Sequence, residues 1–149
     1  MKVPLCIPDI GKEEINAVKD VLTSGWLAHG PKVKEFEKDF AEYIGTNNAI
    51  SVNSCASALQ LAIQAEEIKD EVIIPSFTFS ASANAVIAAG AKPVFADIEY
   101  KSCNISPEDI QKRITKKTKA IMPVHFAGLP CRMDEIMEIA QKHSLKVIE

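Results

Sequence analysis

The stretch VIIPSFTFSASANAVIAAGAKPVFADI, residues 72–98, sets two short apolar runs on either side of a small-residue segment that ends in glycine. VIIP (72–75) is apolar at consecutive positions, which reads as a strand buried on both faces, with Pro75 stopping it. SASANAVIAAG (80–90) reads as a helix closed by Gly90, and PVFADI (93–98) as the next strand. Strand, helix and strand in that order form a βαβ unit, whose crossover makes the two strands parallel.

The same rhythm continues in both directions. AISV (49–52) reads as a strand and CASALQLAIQA (55–65) as a helix. Beyond residue 98, Ser106 and Pro107 have the character of an N-cap and first helical position. Asp109 is placed for a reciprocal cap, and Ile110 and Ile114 face inward. KAIMPV (119–124) is a further strand, Asp134 through His143 a helix, and LKVI (145–148) a last strand. Five short apolar strands separated by helices predict an α/β fold: three layers, with a mainly parallel sheet and helices on both faces. The strands' carboxyl ends then share one edge, where such sheets bind ligands.

The first 45 residues have a different pattern. Ile15, Val18, Val21 and Leu22 recur at helical spacing up to Gly25. A loop, WLAHG, leads to Pro31, an apolar stripe of Val33, Phe36, Phe40, Tyr43 and Ile44, and Gly45 just past the end. The organisation expected is therefore residues 1–45 as amino-terminal helices with a loop, and 46–149 as part of a larger sheet domain. No internal repeat or low-complexity linker interrupts it.

Composition narrows the function classes. The chain has 149 residues, 47% of them hydrophobic and 25% charged, the balance of a globular domain. Seventeen Lys and Arg against twenty Asp and Glu give a net charge of −3, with no basic arm, which argues against nucleic-acid binding. The densest basic stretch, QKRITKKTK (111–119), falls at a helix end, where cations favour the negative pole of the dipole. Cys6, Cys55, Cys103 and Cys131 form no C-x-x-C pair and have no histidine at zinc-ligand spacing, so reduced thiols in a cytoplasmic protein are expected and no metal site. No apolar run approaches the ~20 residues of a membrane span, and MKVPLCIPDIG lacks a signal-peptide core.

Four strand ends are candidates for chemistry. In SVNSCASAL (51–59) a strand meets small polar residues that open a helix. Its free N–H groups at Ser54, Ala56 and Ser57 suit an anion, or the stretch is an ordinary N-cap at Asn53 or Ser54. In IIPSFTFSAS (73–82), alternation predicts that one of Phe77 and Phe79 faces the core and leaves the other to line a cleft and stack on a flat ligand. His125, in PVHFAGLP (123–130), is either an acid or base titrating near neutrality or a satisfied structural histidine. VIE (147–149) places a lone carboxylate, Glu149, at the carboxyl end of a strand.

Taken together, GWLAHGPKVKEFEKDFAEYIG (25–45), NSCASALQLAI (53–63), residues 72–98, PVHFAGLPCRMDEI (123–136) and AQKHSLKVIE (140–149) resemble the DegT-type aminotransferases. These enzymes use pyridoxal 5'-phosphate to aminate nucleotide-linked keto sugars, in polysaccharide or amino-sugar biosynthesis. The matching segments cover essentially the whole chain in order. The resemblance implies part of the large domain of a fold-type I aminotransferase, with glutamate as donor, a nucleotide sugar as acceptor and a homodimer or other self-association as the assembly.

Position by position, Ala56 and Ser57 match the turn that holds the cofactor's phosphate. The family commonly carries Gly-Thr at positions 55 and 56, so the threonine hydroxyl is missing and Ser57 is the one at hand. Phe79 matches the aromatic residue stacked on the pyridine ring, His125 matches a residue beneath the cofactor with no catalytic role, and His29 lies on the substrate-entrance loop. In the family, VIE is followed by the aspartate that pairs with the pyridinium nitrogen and, later, by the lysine that binds the cofactor covalently. The chain thus corresponds to the amino-terminal part of such an enzyme, is expected to be inactive alone, and contains none of its catalytic residues. The resemblance also places the family's next two strands between LKVI and AISV, which leaves AISV without a native neighbour. Two other readings stand beside it: a small phosphate- or nucleotide-binding α/β domain, which no G-x-G-x-x-G or P-loop motif supports, and a non-catalytic regulatory or assembly protein.

Overall fold

The structure is a computed structural model and describes residues 7–149; Cys6 and most of the MKVPLCIPDIG segment lie outside the described residues. The described chain forms two compact units that meet in sequence between Ser51 and Val52.

The first unit carries two helices, α1 (Lys12–Ser24) and α2 (Pro31–Ile44). Each has the punctuation its sequence announces. Glu14 reaches back to accept the Gly11 N–H at 2.7 Å at the start of α1, and Gly25 closes it in the left-handed region. Pro31 occupies the first turn of α2, and Gly45, at φ 80°, donates its N–H to the Ala41 carbonyl. Between them the Trp26 indole N–H donates to the His29 carbonyl at 3.1 Å and lays its ring across Gly30. A Cβ at Gly30 would stand 2.3 Å from Trp26 Cδ1, so only glycine fits there.

AISV is not a strand. Residues 49–52 have no ladder partner among the described residues, and Ile50 is 83% exposed. Ser51 instead donates both its N–H and its hydroxyl to Glu37 Oε1, at 2.8 and 2.9 Å. A strand is defined by its neighbour. With none alongside, a side chain satisfies the backbone group that a ladder would have used.

The second unit is a four-stranded parallel sheet in the order β2-β1-β3-β4. Its strands are β1 (Glu71–Pro75), β2 (Lys92–Ala96), β3 (Thr118–Ile121) and β4 (Lys146–Val147). The helices are α3 (Cys55–Ala65), α4 (Ser80–Ala88), α5 (Pro107–Arg113) and α6 (Met133–His143), with a 3-10 turn at Phe126–Gly128. Four strands stand where five were expected, because AISV is missing. β1 is central and wholly buried. Its alternate residues face two separate cores. Val72 and Ile74 join Ile63 of α3 and Val86 of α4, while Ile73 joins Ile110 of α5 and Ile136 and Ile139 of α6. Each fully buried aliphatic side chain of this kind contributes roughly 1.5–3 kcal/mol. Two cores on opposite faces of one sheet make the three layers, as the uninterrupted apolar run in VIIP implies. Pro93 sits on β2, an edge strand, where a residue without an N–H is tolerated.

Local capping differs from expectation at one place. Ser106 does cap α5, accepting the Asp109 N–H at 3.2 Å, but Asp109 does not return the bond. Its carboxylate accepts the Asp97 N–H at 2.8 Å and pairs with Arg113 at 3.1 Å, because the Ser106 N–H is already donated to the Asp97 carbonyl. The cap therefore fastens α5 to the end of β2. Nearby, Arg132 joins Glu99, Glu108 and Glu135, holding the loop after β2 and the start of α5 to the start of α6. Of the basic stretch 111–119, Lys112 and Arg113 lie in the last turn of α5; the other lysines follow it.

Two features can be tested directly. At the amino edge of the sheet, the Thr115 hydroxyl donates to Glu71 at 2.6 Å and Lys92 lies 3.4 Å from the same carboxylate. The Thr115 bond foremost, with Lys92 adding to it against partial burial, holds the Glu71 pKa below the ordinary 4.5. A lowered pKa contributes stability that is present above the unfolded value and is lost as pH falls through the folded one. The urea midpoint of wild type should exceed that of Glu71→Gln at neutral pH, and the gap should close as pH drops from about 5 to about 3; a gap insensitive to pH would contradict this. Separately, Ser54 caps α3 through the Ser57 N–H at 3.2 Å, so Ser54→Ala should cost about 1 kcal/mol in chemical unfolding.

Candidate functional site

The carboxyl edge of the sheet opens into a cavity of about 650 Å³. Cys55, Ala56, Phe77, Phe79, His125 and Glu149 are among the residues that line it, and fully buried Met122 lies at its base. Phe77 and Phe79 follow β1, His125 follows β3 and Glu149 follows β4, so parallel topology brings them to one edge, while Cys55 and Ala56 come from the start of α3.

Cys55 and Ala56 are the first two residues of α3. In these positions a helix has no internal acceptor for its N–H groups, and their small side chains leave the backbone open to a ligand. The third N–H, that of Ser57, is taken by Ser54. The Ser57 hydroxyl donates to Asn53 Oδ1 at 2.8 Å and lies 2.9 Å from Ser54 Oγ. Ser57 is thus tied into the cap, and it is not among the residues lining the cavity. The N-cap reading at Ser54 is what the structure shows, and of the N–H groups expected to face an anion that of Ser57 is already used by the cap.

Phe77 and Phe79 do not divide between core and cleft. Phe77 is 48% and Phe79 81% exposed, and both line the cavity. Strand alternation lapses after Pro75, where the chain bends and Phe79 becomes the residue preceding α4. The Phe77 ring packs against Phe126 with centroids 5.1 Å apart, bracing one wall. Among the described residues Phe79 makes no such ring contact, and it stays largely exposed at the cavity. Thr78 and Ser82 share a hydroxyl contact of 2.9 Å that fixes the start of α4.

His125 is held at both ring nitrogens. Nδ1 accepts the Cys131 N–H at 3.0 Å, which leaves the ring proton on Nε2, where it is donated to Glu149 Oε2 at 2.7 Å. The Cys131 thiol donates to the Val124 carbonyl at 3.3 Å, and burial pushes its pKa up, so it serves as packing. The cavity therefore offers an anion-attracting helix start and, elsewhere on its wall, a carboxylate bonded to an imidazole N–H.

Ala56, Phe79 and His125 share this cavity. His29 belongs to the first unit, where its Nε2 lies 3.7 Å from Glu37. Sequence reasoning passed over Cys55, the role of Glu149 as the partner of His125, and Asn104, whose side chain binds the backbone of the loop after His125. Among the described residues there is no cluster of side chains suited to a metal ion and no helix long and apolar enough to cross a membrane.

The chain is 50% identical over 149 residues to the spore coat polysaccharide biosynthesis protein SpsC of Bacillus subtilis, covering 99% of this chain and 38% of SpsC. The aminotransferase from Psychrobacter cryohalolentis superposes with a TM-score of 0.90 at 43% identity, over 95% of this chain and 37% of that one. Spr1654 from Streptococcus pneumoniae, named as a sugar aminotransferase and solved in its PLP form, gives 0.89 at 36% identity, over 98% and 38%. The chain thus spans less than two fifths of the length of these relatives. Residues 8–149 match the sequence model of one family throughout. The chain belongs to the DegT/DnrJ/EryC1/StrS aminotransferase family.

Proposed function

We propose that this chain provides the phosphate-facing and ring-facing walls of a pyridoxal phosphate site in a sugar aminotransferase. The enzyme would move an amino group from an amino acid, glutamate, to a nucleotide-linked keto sugar for polysaccharide biosynthesis. The observation that carries the reading is the meeting of two open helix-start amides, an exposed aromatic ring and the His125–Glu149 pair in one cavity.

Pyridoxal phosphate is the family's cofactor, and the residues present fit it. Cys55 and Ala56 would hold the phosphate on their N–H groups, where the α3 dipole favours negative charge. Ser57 joins them only if its bond to Ser54 opens. Phe79 would cover the ring face, excluding water from it, and Phe77 with Phe126 would keep that wall rigid. His125 would hold its proton at Nε2, towards Glu149, and support the floor beneath the ring without exchanging protons with substrate. When bound, the cofactor's pyridine ring is the electron sink for amino-group transfer.

No lysine lines the cavity among the described residues. We therefore expect the chain by itself to bind the cofactor reversibly and not to transaminate. Residues 1–45 belong to the same reading as the substrate-side element, with His29 as its sugar contact. The apolar residues exposed on α1 and α2, Ile15, Val18 and Phe36 among them, support self-association as a homodimer. A cytoplasmic enzyme without nucleic-acid or membrane partners fits the charge and composition.

Equilibrium dialysis with pyridoxamine phosphate, which has no aldehyde to react with surface lysines, tests the site. Binding should be saturable at one site per chain. Loss of the phosphate should weaken it about tenfold or more, and Phe79→Ala should weaken it roughly two- to tenfold. Equal affinity for the phosphorylated and unphosphorylated compounds would contradict the assignment of α3. A second measurement addresses inactivity: after pyridoxal phosphate and borohydride, peptide mapping should find no single lysine labelled stoichiometrically. A visible absorption band that survives dialysis and maps to one lysine would overturn the expectation of reversible binding.

A further inference from the structure

The loop that carries His125 is gripped from outside the cavity by one side chain. Asn104 is 2% exposed and stands in the turn closed by the Ile98–Ile105 bridge, just after Cys103 at φ 58°. Its Oδ1 accepts the Phe126 N–H at 2.9 Å. Its Nδ2 donates to the carbonyls of Leu129 and Pro130, at 2.9 and 3.1 Å. Both amide hydrogens and one oxygen lone pair are therefore committed to a single five-residue segment. The partners also fix the orientation of the amide, since a flip would set the NH2 against an N–H and the oxygen against two carbonyls.

The gripped segment would not choose its shape unaided. Ala127 lies at φ 51°, ψ 27°, and Gly128 follows at φ 82°, so two consecutive residues are left-handed and the first carries a Cβ. His125 enters the loop and Cys131 leaves it, and the Cys131 N–H donated to His125 Nδ1 is the rung between them. That rung decides which ring nitrogen keeps the proton. We propose that Asn104 is the positioning residue of this site: by clamping residues 126–130 it holds Cys131 against His125 and so sets the imidazole tautomer that donates to Glu149. The value of this for the cofactor rests on the function proposed above; the geometry it predicts does not.

The test uses the full 149-residue chain without cofactor, so its outcome is independent of whether pyridoxal phosphate binds. Long-range nitrogen–proton spectra of the histidines should show His125 with an unprotonated Nδ1 and a protonated Nε2. In Asn104→Ala those signals should move towards the averaged tautomers of a free histidine. The Phe126 and Cys131 amides should also exchange roughly ten- to a hundredfold faster than in wild type, with core amides of β1 much less affected. Asn104→Ser, which keeps an acceptor for Phe126 but cannot bridge both carbonyls, should give an intermediate effect and covers the case in which the alanine variant does not fold. Arg132→Gln, which removes the ion pairs next to the loop, should leave the His125 tautomer in place. A folded Asn104 variant with an unchanged His125 spectrum and unchanged Phe126 exchange would overturn the proposal. So would a change no larger than that seen in core amides.

Discussion

Everything in the sheet domain depends on β1 being paired on both edges and buried on both faces. Val72, Ile73 and Ile74 can only be satisfied if β2 and β3 flank them and if helices cover both sides of the sheet. Parallel pairing with both neighbours then brings the carboxyl ends of β1 and β3 to the same edge. The residues that follow them, Phe77 and Phe79 in one case and His125 in the other, face a common space. The start of α3 opens into it from the chain just before β1. The cavity is in this sense a by-product of burying VIIP, and its chemistry follows from which small or flat residues stand at the strand exits.

Within that space the polar groups are not equivalent. Cys55 and Ala56 leave backbone donors open, whereas the next donor is already capped by a serine. His125 has both nitrogens engaged, and its proton points to Glu149. In the proposed site an anionic group would lie at the helix start and a flat ring against Phe79. The basic stretch 111–119 has the opposite character, with exposed charges of one sign. Comparison with the SpsC and aminotransferase relatives puts the chain in a family whose cofactor combines a phosphate with an aromatic ring.

What was legible in the sequence was what short-range physics controls. α2 could be read from Pro31 and Gly45, and the βαβ unit from the continuous apolar run of VIIP and the glycine closing α4. Two of the departures turned on a partner elsewhere in the chain, and one on where a strand ends. AISV has a strand's composition, but pairing decides, and Ser51 bonds to Glu37 instead. Asp109 has a capping residue's spacing, yet the Ser106 N–H it would have served is donated to Asp97. Phe77 and Phe79 obey alternation only while a strand lasts. Asn104 gave no signal at all, because its partners lie 22 to 26 residues away and a lone polar residue in a turn looks ordinary. The resemblance to a family pointed to Phe79 and His125, which line the cavity, and folding added Glu149 and Asn104 as groups bonded around His125 and its loop.

The proposed site would receive a phosphorylated ring at the start of α3, in the cavity that Phe79 also lines, at the sheet's carboxyl edge. Amide chemical-shift mapping with pyridoxamine phosphate addresses it residue by residue. The largest shifts should fall on Cys55 and Ala56, on the segment around Phe79, and on His125 and Phe126. Shifts concentrated instead on Lys112–Lys119, with the cavity amides unmoved, would show a charge-driven surface contact and contradict it.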